Sequence, residues 1–541
     1  MSDTLPPPVI ELSEAELDGL IERLEHAIAH DLALSVDDLR ILLQVLLSFA
    51  HWHERLSERD ITLHKLRKLA GIVQSSEKLS HLLPKPSSSG KTKPPKAAKS
   101  NAEPPPEPVI HARCTHAIEG LQKGQICPEC QRGKLYKYAP VTLLRFTGQS
   151  PLVCNQHLLE RLRCNACGAY FTAELSPEAQ ADGEAGQTYG YSARAMMALH
   201  KYYAGLPFYR QHTLQQLFGT PISASTVFEQ CEQVADAVQP VFKALMGQAA
   251  SAVHYHLDDT TNRILNQGPT QKPDRKTGQL KTRSGIYTSG VMATLASRAE
   301  ILLFQTNIGH GGEWIDQILK DRPPDAPIPI LMCDALSRNF PSQIEFEKSL
   351  CNSHARREFV EVFEHFPDEV AWVLEHYALI WQHDTHCQEH QLTPAQRLSY
   401  HQAHSLPVMQ ELREWGQQQL HSSAVEANSG LGKAIGYYLR HYEGLTAFCR
   451  IESAQIDNNL MEQALKLVIR NRKNALFFKS LAGAAIADVL LSLIATAAQA
   501  KINVFEYLIV LQRHAKEVKQ NPQQWLPWTY QNTLQALELA A

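Results

Sequence analysis

The chain has 541 residues, 44% hydrophobic and 20% charged, with a formal net charge of −4. That is globular composition, and the length suggests several domains. So small a net charge announces no nucleic-acid partner, and any basic surface must be local.

No uninterrupted apolar run reaches about 18 residues, which argues against a transmembrane helix. The opening MSDTLPPPVIELSEAEL lacks the basic and apolar regions of a signal peptide. A soluble intracellular protein with no membrane partner is expected. Residues 1–82 read as a helical or coiled-coil arm. Leu17, Leu20, Ile21 and Leu24 recur at turn spacing, as do Leu39, Leu42, Leu43, Leu46 and Leu47. An oligomerisation arm and DNA contact by its basic end around Lys65, Arg67 and Lys68 both stay open. Residues 83–110, rich in Pro, Ser and Lys, have little to bury and read as a linker.

Residues 111–175 carry Cys127-Pro-Glu-Cys130 and Cys164-Asn-Ala-Cys167. Each pair can present two thiolates from one tight turn, and two such knuckles close a tetrahedral structural Zn²⁺ site, a zinc ribbon. Cys114, His116, Cys154 and His157 lie close enough in sequence to supply a ligand instead. A closed shell of four thiolates stabilises and does not catalyse. Residues 176–250 read as short helices broken at Gly219 and Pro221. A DNA-binding helix-turn-helix and a plain packing unit fit equally.

The pattern changes over 251–340. SAVHYHLDDT, SGIYTSGVMATLA, AEILLFQTN and PIPILMCDAL are short β-branched or apolar runs split by turn residues, and they predict strands. Long helices follow over 341–450, then a second part of the core over 451–500 and a C-terminal element over 501–541.

Asp258 and Asp259 stand at the predicted end of one strand and Asp334 at the end of another. Carboxylates so placed can converge and share divalent ions, which serve phosphodiester chemistry. Mg²⁺ suits such oxygens. Asp is also an ordinary turn residue, so each position has a purely structural explanation. In QIDNNLMEQALKLVIRNRKN, Asn459 reads as an N-cap with Glu462 in a capping-box position. Yet Glu462, Lys466, Arg470 and Lys473 fall within about 80° of one another on the helix. A carboxylate followed by a basic stripe suits a DNA-cutting site, and a capping glutamate does not require that stripe.

Asp258-Asp259-Thr260, LMCD, CNSHARREF, LGKAIGYYLRHYEGLTAFC, IDNNLMEQAL and RNRKNALFFKS, in this order, resemble the transposases of IS66-family insertion sequences. The resemblance covers most of the chain. It implies a multidomain α+β protein with an RNase H-like α/β catalytic core. An all-α insertion interrupts that core, and a helical arm and zinc ribbon precede it. It implies a DDE triad of Asp258, Asp334 and Glu462 that binds Mg²⁺ or Mn²⁺, with Asp259 as rival for the first position. The family usually has Asp-Glu-Thr at the first site and Asp-Gly at the second, where this chain has Asp259 and Ala335. His354, Arg356 and Arg357, in the Cys351-x-x-His element, are expected to contact DNA with Lys466, Arg470, Arg472 and Lys473. The expected partners are double-stranded DNA at element ends and target, further copies of the chain, and accessory proteins of the same element. The expected location is the bacterial cytoplasm, at the nucleoid. An RNase H-like nuclease or recombinase with hydrolytic output only, and a non-catalytic zinc-ribbon DNA-binding protein, remain the alternatives.

Overall fold

The structure, a computed structural model, describes residues 150–541 except 164–169, 185, 274–278, 343 and 541. It also describes scattered positions within 19–43 and 122–135. The proposed zinc ligands Cys127, Cys130, Cys164 and Cys167 lie outside the described residues, as do the linker and most of the N-terminal arm.

The chain forms two compact units. One comprises Ser87–His354, Cys387–Leu406 and Arg440–Ala541. Its centre is a five-stranded sheet of β1 (His254–Asn262), β2 (Ile286–Thr294), β3 (Glu300–Asn307), β4 (Ile330–Cys333) and β5 (Glu347–Leu350), in the order β3-β2-β1-β4-β5. β1 pairs antiparallel with β2, and β2 with β3. β4 is parallel to both β1 and β5. The four runs expected to be strands are all strands. Sequence reading passed over β5, whose EKSL is neither apolar nor alternating, and over a hairpin of Thr270–Pro273 with Leu280–Arg283.

Helices cover both faces of this sheet. α1 (Tyr191–Ala198), α2 (Phe208–Leu217) and α3 (Ala224–Ala249) precede it. α3 buries Val227, Val234, Val238, Val241 and Leu245 along one stripe, so that face belongs to the core. α4 (Gly311–Leu319) lies between β3 and β4. α5 (Asn352–Val360) follows β5, and α6 (Pro367–Glu389), α7 (Pro394–His421) and α8 (Gly430–Leu445) follow it. α9 (Asn459–Ala475), α10 (Leu481–Gln499) and α11 (Val504–Arg513) return to the sheet unit.

Alternation along β1 decides which residues share a face. Asp258 pairs with Gly290 of β2, and α9 lies over both. A Cβ at Gly290 would stand 2.5 Å from Met461 and 3.1 Å from Leu465. The glycine therefore lets α9 approach. On the opposite face, a Cβ at Gly311 of α4 would stand 2.9 Å from Leu257 and 3.0 Å from Asp259.

α10 runs along the outer edge of β3. The amides of Leu302 and Phe304 donate to Thr496 Oγ1 and Ser492 Oγ at 3.0 and 2.8 Å, and Thr306 N donates to Asp488 at 2.7 Å. By length and composition α10 is the one helix among the described residues able to cross a membrane. The sequence expectation missed it because Asp488, Ser492 and Thr496 interrupt the apolar run. Most of α10 is buried against β3 and α3, as a core helix is.

The second unit comprises Met1–Pro86, Ala355–His386 and Pro407–Leu439. Trp372 and Trp415 pack with ring centroids 5.0 Å apart, and Tyr438 Oη donates to Met409 O at 2.8 Å.

Candidate active site

Asp258 lies in the middle of β1, not at its end as the sequence suggested, because the strand runs on to Asn262. Its Oδ1 accepts the Asp259 amide at 2.8 Å. Burial pushes the Asp258 carboxyl up to about 7, and the negative charges of Asp334 and Glu462 push in the same direction against that one hydrogen bond. The Asp258 carboxyl thus feels the charges of Asp334, Glu462 and its own neighbour Asp259.

Asp334 follows the last residue of β4, beside β1. Its Oδ1 accepts Asn339 Nδ2 at 2.6 Å and the Leu336 amide at 3.2 Å. An aspartate that caps its own turn holds the chain with alanine at position 335. Asn339 is buried, and sequence reading did not single it out.

Glu462 lies in the first turn of α9. The N-cap is Asn458, not Asn459, and it makes no capping bond through its side chain. The Glu462 amide donates to Asn458 O at 3.1 Å, so the capping box read from the sequence does not form. The Asn458 side chain is used elsewhere. Its Nδ2 donates to Leu257 O at 2.9 Å and its Oδ1 meets His256 Nδ1 at 3.0 Å. α9 is thereby tied to β1 at the residue before Asp258. Neither Asn458 nor His256 was legible as a site residue, since nothing in either spacing predicts a bond across about 200 positions.

Cys351, His354 and Glu462 present ligand-type atoms within 4.8 Å of one another, with His354 Nδ1 3.7 Å from Glu462 Oε1. Burial pushes the Cys351 thiol up to about 12, and its sulfur accepts the Asn458 amide at 3.2 Å. The bond from the Asn458 amide to the Cys351 sulfur ties the residue after β5 to the start of α9.

Asp259 points to the other face. Its Oδ2 accepts the Gly311 amide at 3.1 Å and lies 3.7 Å from His310 Nδ1, at the start of α4. Of the two candidates for the first position, Asp258 is the one on the face of Glu462.

The basic stripe divides. Lys466 and Lys473 are exposed. Arg470 donates to Tyr203 O at 2.8 Å. Arg472 donates to Thr260 Oγ1 at 3.0 Å, to Thr261 Oγ1 at 2.8 Å and to Thr261 O. Both arginines fasten α9 to its neighbours. Arg356 and Arg357 belong to the helical unit.

The sequence pattern of the family described as "Transposase IS66 family" matches residues 186–486. Two relatives from Sinorhizobium fredii are both named only as uncharacterized proteins. The first, y4jD, is 30% identical over 167 residues, covering 30% of this chain and 32% of the relative. The second, y4hP, is 24% identical over 373 residues, covering 65% of this chain and 64% of the relative. The chain thus spans less than two thirds of the length of either.

Proposed function

The chain belongs to the IS66 family of transposases, and from that premise we propose that it cuts DNA at element ends and joins them to target DNA through a DDE triad of Asp258, Asp334 and Glu462. The observation that carries the proposal is the upward push that Asp334 and Glu462 exert on the buried Asp258 carboxyl. The strand order β3-β2-β1-β4-β5, with only β2 reversed, supports an RNase H-like core.

Three hard oxygen donors that repel one another fit a small divalent cation, and they fit Mg²⁺ or Mn²⁺ better than a soft metal. When bound, such an ion supplies charge neutralisation at the phosphodiester and a lowered pKa of water. The protein's own part is to hold the carboxylates. Asn339 orients Asp334, Asn458 fixes the start of α9 against β1, and His354 stands beside Glu462. Lys466 and Lys473 meet phosphates, and the engaged Arg470 and Arg472 hold the helix that carries them. A structural Zn²⁺ on Cys127, Cys130, Cys164 and Cys167, assembly of several copies on DNA, DNA contacts by Arg356 and Arg357, accessory proteins of the same element and a location at the bacterial nucleoid complete the reading.

The test is Asp334→Asn with Mg²⁺ and the element's own ends. Strand cleavage should vanish while binding to the ends persists; retained cleavage would end the assignment. Wild-type products that stop at hydrolysis, with no joined target, would make the chain a nuclease.

A further inference from the structure

Residues 475–481 read ALFFKSL, and they close α9 in an unusual way. Leu476 has φ 68° and ψ −36°, and the Phe477 amide donates to Ala475 O at 2.9 Å across it. This is a tight three-residue turn at a helix end, where glycine is the favoured residue. A leucine is strained there, and its side chain points outward, 66% exposed. Phe477 is 40% exposed beside it. Phe478 turns inward, onto Ile264, Ile286, Ile308 and Ala484.

The tip is held in shape from both sides. The Leu476 amide donates to Arg472 O at 2.7 Å and the Phe478 amide to Arg263 O at 2.8 Å. Leu265 N donates to Phe478 O at 2.9 Å and Asn266 N to Lys479 O at 3.1 Å. The apolar pair therefore stands on a fixed base. Its surroundings are cationic. No acidic residue occurs between Glu462 and Asp488, while Lys466, Arg470, Arg472, Lys473 and Lys479 all do, in a chain whose net charge is −4. Lys473, Lys479 and Arg263 are exposed. One strained leucine and one partly exposed phenylalanine give too little area for a protein partner. Flanked in sequence by Lys473 and Lys479, and beside Arg263, whose carbonyl accepts the Phe478 amide, they match a polyanion with apolar faces inside it.

We propose that Leu476 and Phe477 form an apolar wedge that enters a base step of duplex DNA, with Lys473, Lys479 and Arg263 on the flanking phosphates. Inserted leucine and phenylalanine side chains kink DNA in this way. The wedge stands about 20 Å along α9 from Glu462, at about 1.5 Å per residue, or roughly six base-pair steps from the acidic site. The inference rests on the reading of the chain as a DNA-acting transposase but not on the acidic triad.

The full-length chain is titrated with a fluorescein-labelled duplex of about 40 base pairs and mixed sequence at several salt concentrations. Leu476→Gly should weaken binding roughly tenfold with an unchanged salt slope, because no phosphate contact is lost. Its melting temperature should hold or rise by about 2 °C, because the strain is relieved. Phe477→Ala should weaken binding similarly, whereas Lys473→Ala should lower the slope by about 1. Wild-type affinity in both wedge variants overturns the wedge alone. So does a loss of affinity that comes with a lower melting temperature, which marks a structural role. A wild-type chain that binds no duplex overturns the wedge together with the DNA reading. Loss of cleavage in Asp334→Asn with normal duplex binding leaves the wedge measurable on its own.

Discussion

Asp258 and Asp488 are both carboxylates of the sheet unit that burial pushes up to about 7. Their neighbours differ. Asp488 receives two hydrogen bonds of 2.7 Å, from the amide and the hydroxyl of Thr306. Asp258 has one backbone donor, and the charges of Asp334, Glu462 and Asp259 all press on it. A buried acid met by donors is an anchor. One met by other acids is a candidate for holding a cation, as the proposed function requires. The raised value alone does not separate the two roles, whereas the company each carboxylate keeps does.

The largest expected effect breaks this comparison on the Asp258 side. Asp258→Asn should cut Mg²⁺-dependent nicking by roughly 10³-fold or more, read on supercoiled plasmid. The same substitution should leave metal-free thermal stability equal or higher, because it removes a charge that its neighbours oppose. Asp488→Ala should act the other way. It leaves the Thr306 amide buried without an acceptor, while the Thr306 hydroxyl keeps Thr288 Oγ1 at 2.8 Å, and should cost about 1–3 kcal/mol in urea unfolding. Asp488→Asn, which keeps one acceptor, should cost less.

A smaller and sharper test is the pH dependence of metal-free stability. Both folded values, about 7, lie above the ordinary aspartate value of 3.8. The folded chain thus holds protons that the unfolded chain has already released. This contribution is fully present below about pH 4 and is lost as pH rises through about 7. Melting temperatures should therefore fall between about pH 4 and 7 and level off above that. Adding Mg²⁺ should flatten the part that comes from Asp258 and leave the part from Asp488. A slope that Mg²⁺ leaves untouched would argue that Asp258 holds no cation.

Much of this was legible in the sequence, and what was not has a common cause. β1 to β4 showed themselves through runs of β-branched and apolar residues, and Glu462 through the cations that share its helix face. The choice between Asp258 and Asp259 was not legible, because adjacent strand residues point to opposite faces and only packing names the faces. The sequence pointed to Asn459 as the cap, and Asn458 takes that place. Its role depends on β1, far away in sequence, as does the commitment of Arg470 and Arg472 to backbone and hydroxyl oxygens. Periodicity reports which residues are inside but not which partners they meet there.

The rungs joining α10 to β3 act as a vernier. Four residues of helix advance about 6.0 Å and two of strand about 6.7 Å, so the two scales slip by roughly 0.7 Å per rung. Thr496, Ser492 and Asp488 stay in step with Leu302, Phe304 and Thr306 because the coincidence is short. Within that span the helix stands in for a sixth strand. This edge of the sheet is thereby closed to any strand from another chain.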